Sequence, residues 1–168
     1  IFIGYAGYYL VRKNFALAMP YLVEMWFDKG LLGVAISANA IAYGLSKFFM
    51  GGVSDRSSAR KFLPLGLTLS ALTTLILGTR AGLSSVVSMF ILQFLIGWFQ
   101  GMGWPPSGRV MTHWFSQHER GTKMSIWNVA HNVGGALIGP MAAVGMAWFG
   151  SWQAGTFWFP ASVALVIV

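Results

Sequence analysis

The chain has 168 residues, of which 56% are hydrophobic and only 9% charged, with a mean hydropathy of +0.64. Soluble domains carry about 25% charged residues, so this chain cannot cover a globule with polar side chains, and the soluble class is disfavoured. The net charge of +7 does not point to nucleic acid, because the basic residues are scattered between long apolar runs and make no amphipathic face.

A helix that crosses a bilayer needs about 20 predominantly apolar residues. Six stretches qualify, at 1–23, 31–52, 62–79, 85–107, 121–149 and 152–168, so an all-α integral membrane protein is expected. Eight Trp, thirteen Phe and twenty-one Gly suit such a protein, since Gly permits close helix packing and Trp sits at interfaces. With no cysteine there is no disulfide framework and no thiolate metal site. No cleavable signal peptide is visible, and both ends fall inside apolar runs, so the chain reads as a fragment.

The first span contains "GYYLVRKNFALAMP", with Arg12 and Lys13 adjacent in an otherwise apolar and aromatic run. At 100° per residue, Tyr5, Tyr9 and Arg12 fall within about 60° of one another, with Tyr8 and Lys13 flanking them. Placing Arg or Lys at a helix centre starts at about 2.5–3.5 kcal/mol each, so a compensating anion is expected. Pro20 and "EMWFDKG" end this span.

The second span carries Lys47 on a face shared with Asn39, Tyr43 and Ser46. After it comes "GGVSDRSSARK", 51–61, in which an acid stands between Gly51 and Arg56. A plain basic loop accounts for Arg and Lys but not for that Asp55. The third span, 62–79, follows.

In the fourth, "GWFQGMGWPPSGR" puts Gln93, Gly97, Gln100 and Trp104 on one side, and Pro105–Pro106 must disturb the helix. Gly for packing and Pro for a bend account for most of this stretch, with Gln100 and Trp104 as candidate contacts. The fifth, "SIWNVAHNVGGALIGP", places Asn128, His131, Asn132, Gly135 and Gly139 on one face and looks like a cavity wall. His113 and His118 sit near the end of the fourth span and its loop, so no second histidine completes a metal site. Neither a metal nor a cofactor is expected.

The four acids, Glu24, Asp28, Asp55 and Glu119, lie in linkers or at helix ends. Arg12, Lys13 and Lys47 therefore lack a buried carboxylate within this stretch. A bound anionic substrate is the preferred counter-charge, because arginine offers a planar fork for phosphate or carboxylate and lysine a flexible point charge. An ion pair with residues outside the stretch is the alternative. Orientation follows from the linkers: Arg56, Arg60, Lys61, Arg109, Arg120 and Lys123 on one side oppose Lys29 and Arg80 on the other. The richer side, with the N-terminus and the loops at 53–61 and 108–123, is expected to be cytoplasmic.

Gly51, Asp55, Arg56, Arg60 and Lys61 match the signature G-x-x-x-D-R-x-[GS]-x-R-K of the major facilitator superfamily, which the chain resembles. The resemblance implies that this loop is a conformational latch between two six-helix halves, this chain being the N-terminal half of a 12-helix fold. "YYLVRKNFALAMP", "AYGLSKFFMGGVSDRSSAR", "GWFQGMGWPPSGR" and "WNVAHNVGG" together resemble the organophosphate:phosphate antiporter family, closest to its glycerol-3-phosphate branch. What that resemblance implies is exchange of glycerol 3-phosphate for inorganic phosphate across the inner (plasma) membrane by rocking of the halves. It also implies that Arg12 is a main phosphate ligand, that Lys13, Lys47 and His131 face the pore, and that Tyr5 and Tyr9 lie near the site. A second phosphate arginine would come from the absent half. Trp26 departs from the family's usual glycine and is expected to affect the outer gate.

Three rivals follow from the same residues. A sugar-phosphate sensor on this fold would look alike over this stretch. A proton-driven carrier should need an intramembrane acid, which is not found here. An enzyme lacks a nucleophile with adjacent base and acid. The expected partners are a phosphate ester, inorganic phosphate, the bilayer and the missing half, with no nucleic acid, and the expected state is a monomer.

Overall fold

A computed structural model describes all residues, 1–168. Each expected span is helical and no strand is present. In chain order the helices are α1 (Phe2–Leu10), α2 (Asn14–Glu24), α3 (Lys29–Asp55), α4 (Ala59–Leu77), α5 (Val86–Gln100), α6 (Trp104–Trp114), α7 (Gln117–Phe149) and α8 (Phe159–Ile167). A π-helical turn, Ala154–Trp158, leads into α8.

Four stretches are long and apolar enough to cross a membrane: α3, α4, the α5–α6 stretch Val86–Trp114, and α7. The first expected span is instead two helices of 9 and 11 residues. The sixth is a shorter apolar helix, Ala154–Ile167.

The breaks have local causes. In the first span the backbone leaves helical geometry at Val11 and Lys13 (ψ 8° and 6°), so the two cations sit in the break. In the fourth, Pro105 and Pro106 open α6, where a missing N–H is tolerated. The interruption at Gly101–Gly103 lies just before them.

A backbone group freed inside a bilayer must find an internal partner. Asn14 Nδ2 donates to the Thr156 carbonyl of the π turn at 2.6 Å, and Gln100 Nε2 donates to the Tyr8 carbonyl at the end of α1 at 2.8 Å. The irregular turns of the first span are thus tied to those of the fourth and sixth.

Small residues set the packing. Ala35, Ala38, Asn39, Ala42 and Ser46 form a buried stripe along α3, against which α5 lies. Asn39 Nδ2 donates to Gln93 Oε1 at 3.0 Å, and Ser46 donates to the Trp98 carbonyl. Across the bundle, α1 packs on α7, where a Cβ at Gly134 would lie 2.8 Å from Tyr9 Cβ and would strike the Ala6 carbonyl oxygen. Ile41, Phe48, Val87 and Ile91 are exposed, so large apolar side chains cover part of the outside of this bundle.

Two expected loops contract. The 53–61 linker is a turn of three residues, 56–58, and the 108–123 linker is a turn at 115–116. Hydropathy marks where the apolar run stops, while the polar "SGRVMTHW" and "QHERGTK" continue as helix beyond it. Ser116, with extended backbone (ψ 161°), is the N-cap from which α7 starts.

Trp26 is the single non-glycine residue with left-handed backbone (φ 69°), and it is 96% exposed. It follows Met25, the C-cap of α2, where glycine is usual because a Cβ is strained in this conformation. Trp26→Gly is therefore expected to stabilise the fold by about 1 kcal/mol. The check is the thermal midpoint of the purified protein, where an unchanged or lower midpoint would show that the tryptophan repays its strain.

Candidate functional site

Three helices bring the cations to one place. Arg12, in the α1–α2 break, lays its guanidinium over the Tyr43 ring with Cζ 3.8 Å from the centroid, and Lys47 places Nζ 4.3 Å from the same centroid. Tyr43 and Lys47 are four residues apart on α3, so they lie one turn from each other on the same face. Arg12 also sits 5.2 Å from the Tyr9 ring and donates from Nη1 to Tyr9 Oη at 3.3 Å. α7 closes the group with His131, whose ring is 5.5 Å from that of Tyr9. Tyr5 links the set to Trp127, with ring centroids 5.7 Å from Tyr9 and 4.5 Å from Trp127.

The electrostatics are one-sided. Each cation–π contact contributes about 0.5–2 kcal/mol, depending on desolvation. The electron-rich face of Tyr43 is thus a weak neutral counterpart for two positive groups. All four carboxylates lie at helix ends and are exposed: Glu24 ends α2, Asp28 caps α3, Asp55 ends α3 and Glu119 opens α7. Arg12, Lys47, Tyr9, Tyr43 and His131 are all half-buried, so the group keeps an accessible face. Such a face suits an oxyanion with several acceptor oxygens, which can take the guanidinium fork and the ammonium together.

Arg12, Lys47, Tyr5, Tyr9 and His131, all expected from sequence, are gathered here. Lys13 is not: it is exposed at the N-cap of α2, turned out of the shared face by the break. Asn128 is exposed on α7, one turn before His131. Gln100 is buried and its amide is used on the Tyr8 carbonyl, a structural tie between α5 and α1.

Sequence reasoning missed Tyr43 as the ring that joins the cations, although its i, i+4 spacing to Lys47 was a signal. Trp127, also four residues from His131, was missed as well; it is 3% exposed and its Nε1 has no partner. The signature residues lie around the α3–α4 turn: Gly51 and Asp55 in α3, Arg56 at its C-cap, and Arg60 and Lys61 in the first turn of α4. Arg109 of α6 pins this turn, donating to the carbonyls of Ser54 and Ser57. Those are carbonyls at the negative end of α3, where a cation is favoured.

Tyr43→Leu is expected to free both cations and weaken anion binding about tenfold, whereas Tyr43→Phe, which keeps the ring, changes it little. Equilibrium phosphate binding to the full-length protein measures this; equal losses in both variants would assign the effect to the hydroxyl.

The family model described as Major Facilitator Superfamily matches residues 1–168. The glycerol-3-phosphate transporter of Bacillus subtilis is 58% identical over 99% of this chain and 38% of its own length. A probable hexose phosphate transport protein of Chlamydia trachomatis is 41% identical over 99% of this chain and 36% of its own. The membrane sensor protein UhpC of Escherichia coli is 38% identical over 92% of this chain and 35% of its own. The chain thus spans well under half the length of these relatives.

Proposed function

The chain belongs to the major facilitator superfamily, and from that premise we propose that it is the N-terminal half of an antiporter exchanging glycerol 3-phosphate for inorganic phosphate across the cytoplasmic membrane. The observation that carries this reading is the sharing of one tyrosine ring by Arg12 and Lys47 with no carboxylate in the group. The 58% identity to a glycerol-3-phosphate transporter supports the three-carbon branch.

In the proposed mechanism the phosphoryl group takes the guanidinium of Arg12 in its fork and the ammonium of Lys47 as a point charge. Tyr43 keeps both cations in place, and the phosphoryl group is a stronger counter-charge than the ring face. His131 and Tyr9 stand within reach as further donors. Empty, the site holds uncompensated positive charge in a low-dielectric setting, so reorientation without a ligand is unfavourable. A bound dianion removes that penalty and lets the two halves close on it, so only loaded carriers cross. The turn carrying Asp55, Arg56, Arg60 and Lys61 serves as the cytoplasmic latch. The protein works as a monomer with no cofactor.

The test uses the full-length protein in liposomes loaded with inorganic phosphate. Uptake of labelled glycerol 3-phosphate should require internal phosphate and be blocked best by unlabelled glycerol 3-phosphate. Preferential block by glucose 6-phosphate would move the substrate to the hexose phosphates, in line with the 41% relative. The 38% identity to a membrane sensor favours a second reading, binding that signals without net transport. Binding of a phosphate ester with no exchange would select that reading.

A further inference from the structure

A cavity of about 730 Å³ lies away from the cation–aromatic group. It lies between Ile1, the start of α4 and the face of α6, at the end of the bundle where Arg56, Arg60, Lys61, Arg109, Arg120 and Lys123 gather. Its wall is almost wholly carbon, with Leu63, Val110 and Trp114 among the lining residues. Its polar groups are mainly basic. Arg60 and His113 are exposed on it, and Arg109 is half-buried with its Nη atoms turned to the Ser54 and Ser57 carbonyls. The His113 Nδ1–H donates to the Arg109 carbonyl at 2.9 Å, because a carbonyl can only accept.

The charge here is unbalanced. Ser58, also on the wall, makes no side-chain cap to α4, and the first turn of that helix holds Arg60 and Lys61 but no acid. The positive end of the helix and the cations therefore add up where an acidic residue would normally stand. A free inorganic anion would find the charge but would gain nothing from the carbon wall. A molecule with an anionic head and an apolar body satisfies both, and the surrounding bilayer is made of such molecules.

We propose that this cavity is a binding site for an anionic phospholipid. Its phosphodiester lies by Arg60 and the uncapped start of α4, and an acyl chain runs against Leu63, Val110 and Trp114. The site is separate from the Arg12–Lys47 group and does not depend on what that group transports.

The test uses the full-length protein in nanodiscs of phosphatidylcholine, with or without phosphatidylglycerol. Saturating inorganic phosphate is present throughout, so that the Arg12 site is filled in every sample. The wild type should gain about 3 °C or more in thermal midpoint from phosphatidylglycerol. Ser58→Asp supplies the missing helix cap but sets a carboxylate on the wall. It should keep or raise the midpoint in phosphatidylcholine and lose the increment.

Val110→Trp, which fills the cavity without changing charge, should lose the increment too. An equal increment in all three proteins would mean diffuse attraction to the basic helix ends and would overturn the site. So would no increment in the wild type, or one reproduced by water-soluble glycerophosphoglycerol in place of the lipid.

Discussion

Arg12→Lys is expected to lower phosphate exchange by about 100-fold or more in the full-length protein while leaving it folded. The substitution keeps the positive charge, so any argument from charge alone predicts little. Geometry predicts otherwise. The guanidinium is held by three partners, the rings of Tyr43 and Tyr9 at 3.8 and 5.2 Å and the Tyr9 hydroxyl at 3.3 Å, which orient its plane. A lysine ammonium has no plane to orient and offers one charge centre where a fork stood. Arg12 is half-buried in a helix break, so the shorter chain leaves no large void and folding should survive. Lys13→Gln should lower exchange much less, because Lys13 is exposed outside the group. Counterflow of labelled phosphate measures both. Retained exchange in Arg12→Lys, or an equal loss in Lys13→Gln, would count against the binding role of Arg12.

Gly134→Val is expected to destabilise the protein by about 3 kcal/mol or more, and Gly135→Val, one residue along, by less than about 0.5 kcal/mol. Gly134 faces α1, and the group its Cβ would strike is the Ala6 backbone carbonyl, which no side-chain rotation can move aside. Relief requires α1 to leave α7, carrying Tyr5, Tyr9 and Arg12 away from His131. Gly135 has no atom within 4 Å of its would-be Cβ. Thermal midpoints in one detergent give the stabilities, and phosphate binding by whatever folded Gly134→Val remains gives the coupling to the site. Similar midpoints for the two variants would contradict the close approach of α1 and α7.

The helices were legible because each apolar run is bounded by polar or breaking residues such as "SDRSSARK" and "SQHERGTK". The cation group was partly legible too. A charge in an apolar run is conspicuous, and the face shared by Tyr5, Tyr9 and Arg12 follows from helical spacing. The break at Val11–Lys13 was not, since Val-Arg-Lys contains neither Gly nor Pro. An unbroken helix kept Lys13 beside the shared face, whereas the break leaves it exposed.

Gln100 has a packing use that its helical spacing does not reveal. Gln93, Gly97 and Gln100 do share a face of α5, but that face is a packing seam, with Gln93 bonded to Asn39 and Gln100 to Tyr8. Polar side chains inside a membrane bundle can satisfy a neighbour's backbone as readily as a ligand. Periodicity alone does not tell which. The role of Arg109 was hidden similarly, because its partners are carbonyls across 52 and 55 residues of chain.

The tie between Asn14 and the Thr156 carbonyl bears on insulation. A membrane protein that breaks its helices must keep the bilayer tight to water and small ions. At this junction the released carbonyl is answered by a side-chain amide of the same chain, and Asn14 is 1% exposed. Shortening that amide would leave a carbonyl whose easiest substitute partner is water. One water drawn into the break between the first and sixth spans would be the first link of a conducting file. The amide thus stands where that water would sit, beside the Arg12 site.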